Sequence, residues 1–527
     1  MIAAQVTSRK FWLTAAGAGV LLALLCVACD LRMARMLPAD EALLYAADYD
    51  EGVHVAAGQL VAQGLTPYRD FLFLQPPLAA LGFAGVARVQ FATWGDETTF
   101  ALARYATIAA GLLTLVCVFL IAQKLGGTLA GLIATGVLAV DALVIATDRR
   151  AMLEPHVNLL STLAMAVCLV ALERRARRWM FGAGVLAALT FFTKTTGGVV
   201  ALAIGAYLAA QFGRAKMLRR ETRAGAQLLA FGIGVALPSA LIAGYFLLVC
   251  PEQFLKQVYL IHFARVPDGV IALTDRVAET VNAPGSRLTL IGAGAGLAIL
   301  AVRAGLQKQI GAWGLIVLWA GGVVALFAAS RTYFPHYFAQ LAVPLAILAG
   351  GAGSRGRTDR RMVIAAQIGV ALIALAGAAS VGGAQIAQAR AIADQREANT
   401  RAIGRFLAAN VPAEARVLAL SPVYAILGSR SLAGNGAQNF LIDSYGAILY
   451  VNVGMEDAWM PEPFFQDIWS AIHFVDGQNE IVKAAANADV VILDRQARWE
   501  LTPETISAIT SGYRQVFESG KLAVFAR

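Results

Sequence analysis

Charge, histidine and cysteine are all in short supply in this chain. Only 15% of its 527 residues are Lys, Arg, Asp or Glu, and there are five histidines and five cysteines. Cys26, Cys29, Cys117, Cys168 and Cys250 all lie in or at the ends of apolar stretches. None has zinc-type spacing and no pair reads as the disulfide of an exported domain, so they read as packing residues. Internal repeats and low-complexity tracts are lacking too.

Apolar residues take the place that charge leaves. They make up 58% of the chain, and its mean hydropathy is +0.64. That composition specifies a polytopic α-helical membrane protein, because a spanning chain must satisfy its backbone polar groups within each segment. The net charge of +9 sits largely in short basic clusters between apolar spans. Cytoplasmic loops are marked in this way, so no nucleic-acid partner is expected.

Those clusters set a topology. Arg9-Lys10 put the N-terminus inside, ahead of a span at about 11–29 that reads as a retained signal anchor. Loop 30–75 is then outside. Further spans are expected at about 101–122, 128–147, 155–172, 180–194, 197–212, 226–250, 288–303, 311–329, 338–352 and 362–384. The cluster from Glu173 to Arg178 falls inside, as do Arg214 to Arg223, Arg303 and Lys308, and Arg355 to Arg361. The result is about eleven crossings of one parity, with the C-terminus outside. The short segment 76–92, opened by Pro76-Pro77, would break that parity if it crossed. It is expected to lie along the interface or re-enter.

From about Gln385 the composition changes. Polar, helix-forming residues give way to short apolar runs, Val417-Leu418-Ala419-Leu420 and Val490-Val491-Ile492-Leu493, separated by helical stretches. The expectation is a transmembrane module over 1–384, with its first external loop at 30–100, and an extracytoplasmic α/β domain over 385–527.

Four polar groups share the outer face on this topology. The first holds Asp48, Asp50, Glu51 and His54. The second runs from Asp148-Arg149-Arg150 to Glu154-Pro155-His156. Lys194 is the third, and Arg331 to His336-Tyr337 is the fourth. Carboxylates beside a bilayer are costly unless solvated or used, and a cluster of them can bind a cation or take a proton from a hydroxyl. Arginine forks and lysine charges suit phosphate oxygens. Together they fit an anionic, lipid-linked substrate.

The stretch Tyr49-Asp50-Glu51-Gly52, then Gly64-Leu65-Thr66-Pro67-Tyr68, then Gln75-Pro76-Pro77-Leu78, resembles the first external loop of GT-C glycosyltransferases. The similarity is to the protein O-mannosyltransferase and aminoarabinose (lipid A) transferase branch. Arg150 to Glu154, Phe192-Thr193-Lys194-Thr195, and His336-Tyr337 with Pro344 resemble its later motifs. The pattern covers roughly residues 10–350. His54 stands where the family often has Tyr, and Gln75 where some aminoarabinose transferases have a basic residue.

This resemblance implies a GT-C fold with an external C-terminal domain, in the inner membrane of a bacterium, facing the periplasm. It implies a polyprenyl-phosphate sugar donor and a hydroxyl acceptor on a lipid, glycan or protein, with membrane lipids around the chain. Asp50 would be the base of an inverting transfer, with Glu51 beside it in the catalytic pair. Arg149, Arg150, Lys194 and His336 would balance the donor phosphate. Glu154, His54 and Tyr337 would orient the substrates. No cofactor is required on this reading; the alternative is a divalent metal cation held by Asp48, Asp50 and Glu154. The rival function is a transporter or flippase of a lipid-linked saccharide, for which Asp141 is the clearest intraspan acid but no repeat is present. A non-catalytic assembly factor is a third reading.

Overall fold

The computed structural model describes residues 2–33, 48–93, 99–218, 223–283, 286–307, 311–353, 402–436, 438–456, 459 and 465–527. The expected last span at 362–384, the basic cluster Arg355 to Arg361 and Lys308 lie outside the described residues.

The first part is a helical bundle. Its elements are α1 (Ile2–Met33), α2 (Tyr49–Ala62), α3 (Pro77–Thr93), α4 (Thr99–Gly126), α5 (Thr128–Ala139), α6 (Ala142–Asp148), α7 (Glu154–Arg174), α8 (Arg177–Thr193), α9 (Gly198–Met217) and α10 (Ala224–Val249). After α10 come α11 (Pro251–Leu255), α12 (Ile261–Ala264), α13 (Leu273–Asn282), α14 (Ser286–Gln307), α15 (Trp313–Ala329) and α16 (Phe338–Gly350). Among the described residues five helices are long and apolar enough to cross a membrane, or up to seven if each of two bent pairs counts as one span. On α10 the side chains of Leu229, Ile233, Leu237, Leu241 and Leu248 are exposed. Such an apolar outer face belongs against lipid rather than water. The opposite face packs tightly on α8, where Gly184 and Gly234 let the backbones approach: a Cβ on Gly234 would stand 2.2 Å from the carbonyl oxygen of Phe181.

One expected span is broken. The segment expected to cross at 128–147 is α5 and α6, bent by 69°. Asp141 sits at the break and caps α6, accepting from the backbone N–H of Leu143 at 3.1 Å and from Thr289 Oγ1 at 2.7 Å. The acid that the transporter reading relied on is thus a satisfied helix cap. Asp148 is also turned into the bundle, where it accepts from the buried Arg32 Nε on α1 at 2.8 Å. Gly111 makes room for this pair, because a Cβ there would stand 2.3 Å from Asp148 Oδ2. Asp148 therefore leaves the second outer group.

Helix α3 has 17 residues and packs on α2, with Gly58 of α2 so close that a Cβ would lie 2.5 Å from Phe83 Cβ. The Gly-to-Tyr turn between them is held against backbone strain by a hydrogen bond and packing. Tyr68 adopts φ 71°, unusual for a bulky residue, and its hydroxyl donates to the Gln75 carbonyl at 2.8 Å. Its ring packs edge-on to Phe246 at 5.1 Å.

The second part is a small α/β domain. Strands β3 (Arg416–Ala419), β4 (Ser431–Leu432), β5 (Val490–Leu493), β6 (Arg514–Ser519) and β7 (Leu522–Ala526) form a sheet of order β4-β3-β5-β7-β6. The two apolar runs seen in the sequence are its neighbouring central strands, paired in parallel with Val417 opposite Val490. A shorter pair, β1 (Asp268–Gly269) with β2 (Thr332–Tyr333), ties two loops of the bundle together. The domain is not a separate body. Val53, Phe71 and Phe254 of the bundle share one buried apolar cluster with Val417, Tyr424 and Ile492 of the domain. A Cβ on Gly52 would stand 3.1 Å from Pro422.

Candidate active site

The four residues Asp48-Tyr49-Asp50-Glu51 read as one acidic cluster in sequence. Folding assigns each a different task. Asp48 is the N-cap of α2 in a capping box: its side chain accepts from the Asp50 N–H at 3.2 Å, and Glu51 accepts from the Asp48 N–H at 3.4 Å. Asp48 also pairs with Arg150 at 3.0 Å. Burial raises its pKa, and Arg150 opposes that rise.

Glu51 is fully buried. It takes two hydrogen bonds from Arg104, at 2.6 and 2.7 Å, and one from the Ala151 N–H at 2.8 Å. Burial opposes its charge, but Arg104 prevails and holds the carboxyl below its usual range. Expected as half of the catalytic pair, Glu51 is saturated and locks α2 to α4 and to the turn before α7. Asp50 is left half-buried, and no hydrogen bond or ion pair to its carboxylate is found among the described residues. It lies in the first turn of α2, where the helix dipole favours an anion.

Opposite it stands a second, ionic layer. Glu154 opens α7, with Pro155 fixing the start of the helix. Lys194 is the extended residue at which α8 ends. The two form a buried salt bridge. His336 Nε2 is 3.8 Å from the same Glu154 oxygen, and the Lys194 ammonium lies 4.5 Å above the Tyr337 ring. The charge of Asp50 reaches Lys194, His54 and Tyr337. Asp48 feels His336 in the same way. So the first, third and fourth outer groups, with Glu154 of the second, meet in one place.

His54 is buried on α2, stacked on Phe83 with ring centroids 6.0 Å apart. Its Nδ1 is 3.1 Å from the Ala151 carbonyl, which assigns the proton to Nδ1. Burial lowers its pKa, so the ring is neutral at pH 7 and Nε2 remains an acceptor. Arg149 is buried at the end of α6 and Arg150 is half-exposed beside Asp48. Two of the acids named for the metal alternative have other partners in this structure. Asp48 is committed to Arg150 and Glu154 to Lys194. Among the described residues no group of three or more His, Cys, Asp or Glu is placed to hold an ion.

Several site residues escaped sequence reasoning. Arg104 sits inside an apolar helix, where a lone arginine is a signal that could have been followed. Arg265 lies after α12, with its guanidinium 5.7 Å above the Tyr445 ring and 3.4 Å from Asp268. His262 is half-buried one turn earlier, where desolvation, Arg265 and Lys194 lower its pKa to about 4. Asp443 and Tyr445 come from the C-terminal domain. Burial raises the Asp443 pKa, and the nearby Asp50 adds to the rise. No sequence pattern links these residues to the others, because only the tertiary fold brings them close.

Comparison with known proteins bears on this arrangement. Over 98% of both chains the structure resembles ArnT from Cupriavidus metallidurans bound to undecaprenyl phosphate, with a TM-score of 0.64 at 15% identity. The chain has the GT-C fold. The apo state of the same ArnT gives a TM-score of 0.65 at 15% identity over 98% of each chain. A second GT-C neighbour is the Archaeoglobus fulgidus oligosaccharyltransferase tethered with an acceptor peptide, with a TM-score of 0.56 and 13% identity over 97% of this chain and 74% of that one. Residues 75–242 match the family of dolichyl-phosphate-mannose-protein mannosyltransferases. That segment includes Arg104, Arg150, Glu154 and Lys194 but not Asp50 or His336. No curated protein matches the sequence significantly.

Proposed function

We propose that this protein is an integral-membrane glycosyltransferase that moves a sugar from a polyprenyl-phosphate donor to an acceptor hydroxyl at the extracytoplasmic face. The observation that carries the reading is the contrast between Asp50 and its neighbours. Among the described residues Asp48, Glu51 and Glu154 are each committed to a cation, while Asp50 keeps an open carboxylate within electrostatic reach of Lys194. An open carboxylate accepts a proton; fixed cations receive an anion.

The division of labour follows. Asp50 takes the proton of the acceptor hydroxyl as its oxygen attacks the anomeric carbon, and the phosphate leaves with inversion. Lys194, His336 and Arg265 face the negative charge that builds on the departing phosphate. Glu154 holds Lys194, Glu51 holds the helix that carries Asp50, and neutral His54 offers Nε2 to a substrate hydroxyl. Support also comes from the ArnT of the same fold that binds undecaprenyl phosphate. The chain would sit in a bacterial inner membrane with the site and the C-terminal domain in the periplasm.

The test is transfer by the purified protein. A set of polyprenyl-phosphate sugars is offered with lipid, glycan and peptide acceptors, and products are followed by mass. One donor should be consumed by the wild type, and Asp50→Asn should lower kcat by about 10²–10⁴-fold while the protein stays folded. Wild-type turnover by Asp50→Asn would remove the base assignment.

A further inference from the structure

We propose that the C-terminal domain positions the base: Tyr49 and Asp443 form a pin that fixes the first turn of α2 and with it Asp50. The inference rests on the glycosyltransferase reading above and adds to it a role for the distal domain.

The geometry is local and complete. Tyr49 precedes Asp50 on the same helical turn, so neither can move without the other. The Tyr49 hydroxyl donates to Asp443 Oδ1 at 2.9 Å and accepts from the Tyr445 N–H at 3.0 Å. Asp443 is the N-cap of α17 (Ser444–Asn452), and the same Oδ1 accepts from the Gly446 N–H at 2.7 Å. Gly446 has to be glycine for this, since a Cβ would stand 2.4 Å from Asp443 Oδ2. Behind the pin, Ser444 Oγ donates to Glu500 Oε2 at 2.7 Å and Gln496 Nε2 donates to Glu500 Oε1 at 2.6 Å.

This network lies beside the apolar cluster shared by α2 and the domain, where a misplaced polar group would be costly. Among the described residues it ties the end of α2 that carries Asp50 to the domain by hydrogen bonds. Asp443 does more than hold a hydroxyl. Its charge reaches both Asp50 and Arg265. A domain that only roofed the site would have no reason to set a carboxylate against the turn that bears the base.

The experiment uses the full chain in lipid nanodiscs, with the polyprenyl-phosphate sugar that the wild type consumes. Tyr49→Phe, Asp443→Asn and the double variant are compared for kcat, donor KM and melting temperature. Arg430→Met serves as a control for loosening the domain elsewhere, since among the described residues Arg430 donates to backbone carbonyls such as that of Gly428 at 2.8 Å. Each single variant should lower kcat by about 10–100-fold, because misplacing a reacting group by an ångström has that effect. Donor KM should stay within about twofold. The double variant should be no worse than Asp443→Asn, since both changes remove one shared contact. Wild-type kcat in Tyr49→Phe and Asp443→Asn would overturn the proposal, as would an equal loss in Arg430→Met at equal melting temperature. A wild type inactive with every donor would instead refute the glycosyltransferase reading itself.

Discussion

Glu51 and Arg104 offer the sharpest test of how this site is built. Their side chains are 0% and 1% exposed and share two short hydrogen bonds. Glu51→Gln keeps the shape and an acceptor for the Ala151 N–H, but it leaves a guanidinium charge buried without its counter-charge. Breaking a buried pair from one side costs about 3–5 kcal/mol. That is a large share of the stability of a typical domain, about 5–15 kcal/mol. Replacing both partners, in Glu51→Gln with Arg104→Met, removes the unpaired charge and should recover most of the loss. The depressed Glu51 pKa sets the pH window: the pair contributes fully above the ordinary value of 4.5 and is lost as pH falls through the lower folded value. The assay is thermal inactivation in detergent at pH 7, with transfer measured on the surviving protein. The single variant should inactivate at markedly lower temperature, and the double variant should return close to wild type in both stability and kcat. A double variant that is stable yet as inactive as Asp50→Asn would show that Glu51 takes part in the chemistry, and the positioning argument would fall.

Other outcomes follow from the same structure. Lys194→Met should lower kcat/KM for the donor by about 10–100-fold, the worth of one charge-assisted hydrogen bond, measured by initial rates over donor concentration. Burial pushes Glu500 up to about 8 from 4.5, so its protonated form stabilises the domain at low pH and that contribution fades as pH rises from 4.5 towards 8. Glu500→Gln should flatten the dependence, gaining up to about 1.4 kcal/mol on wild type for each pH unit in that window, read by melting curves. Gly234→Val should disrupt the α8–α10 contact and reduce folded yield, seen as a lost monodisperse peak in gel filtration, because its Cβ would meet the Phe181 carbonyl at 2.2 Å. Reporter fusions after Arg178 and Arg223 should read cytoplasmic and fusions at the C-terminus extracytoplasmic; a cytoplasmic C-terminus would refute the topology.

Much of the architecture was legible in the order of residues. Apolar runs of membrane length and the two short β-rich runs are local properties, so composition alone named a helical membrane protein with a small α/β domain. The acid loop, Lys194 and His336-Tyr337 were also picked out as partners, because topology limits which polar groups can share one face. What sequence could not do was divide the labour. Asp48, Asp50 and Glu51 differ little as residues, and only their partners separate them: a cap and Arg150 for the first, Arg104 for the last, and neither for the second. Asp141 and Asp148 read as acids available for chemistry until a 69° break and a buried Arg32 absorbed them. Asp443 lies far from Asp50 along the chain and reaches it only through tertiary packing. Burial and pairing are properties of three-dimensional neighbours, and they decide whether a carboxylate is a base, a cap or a brace.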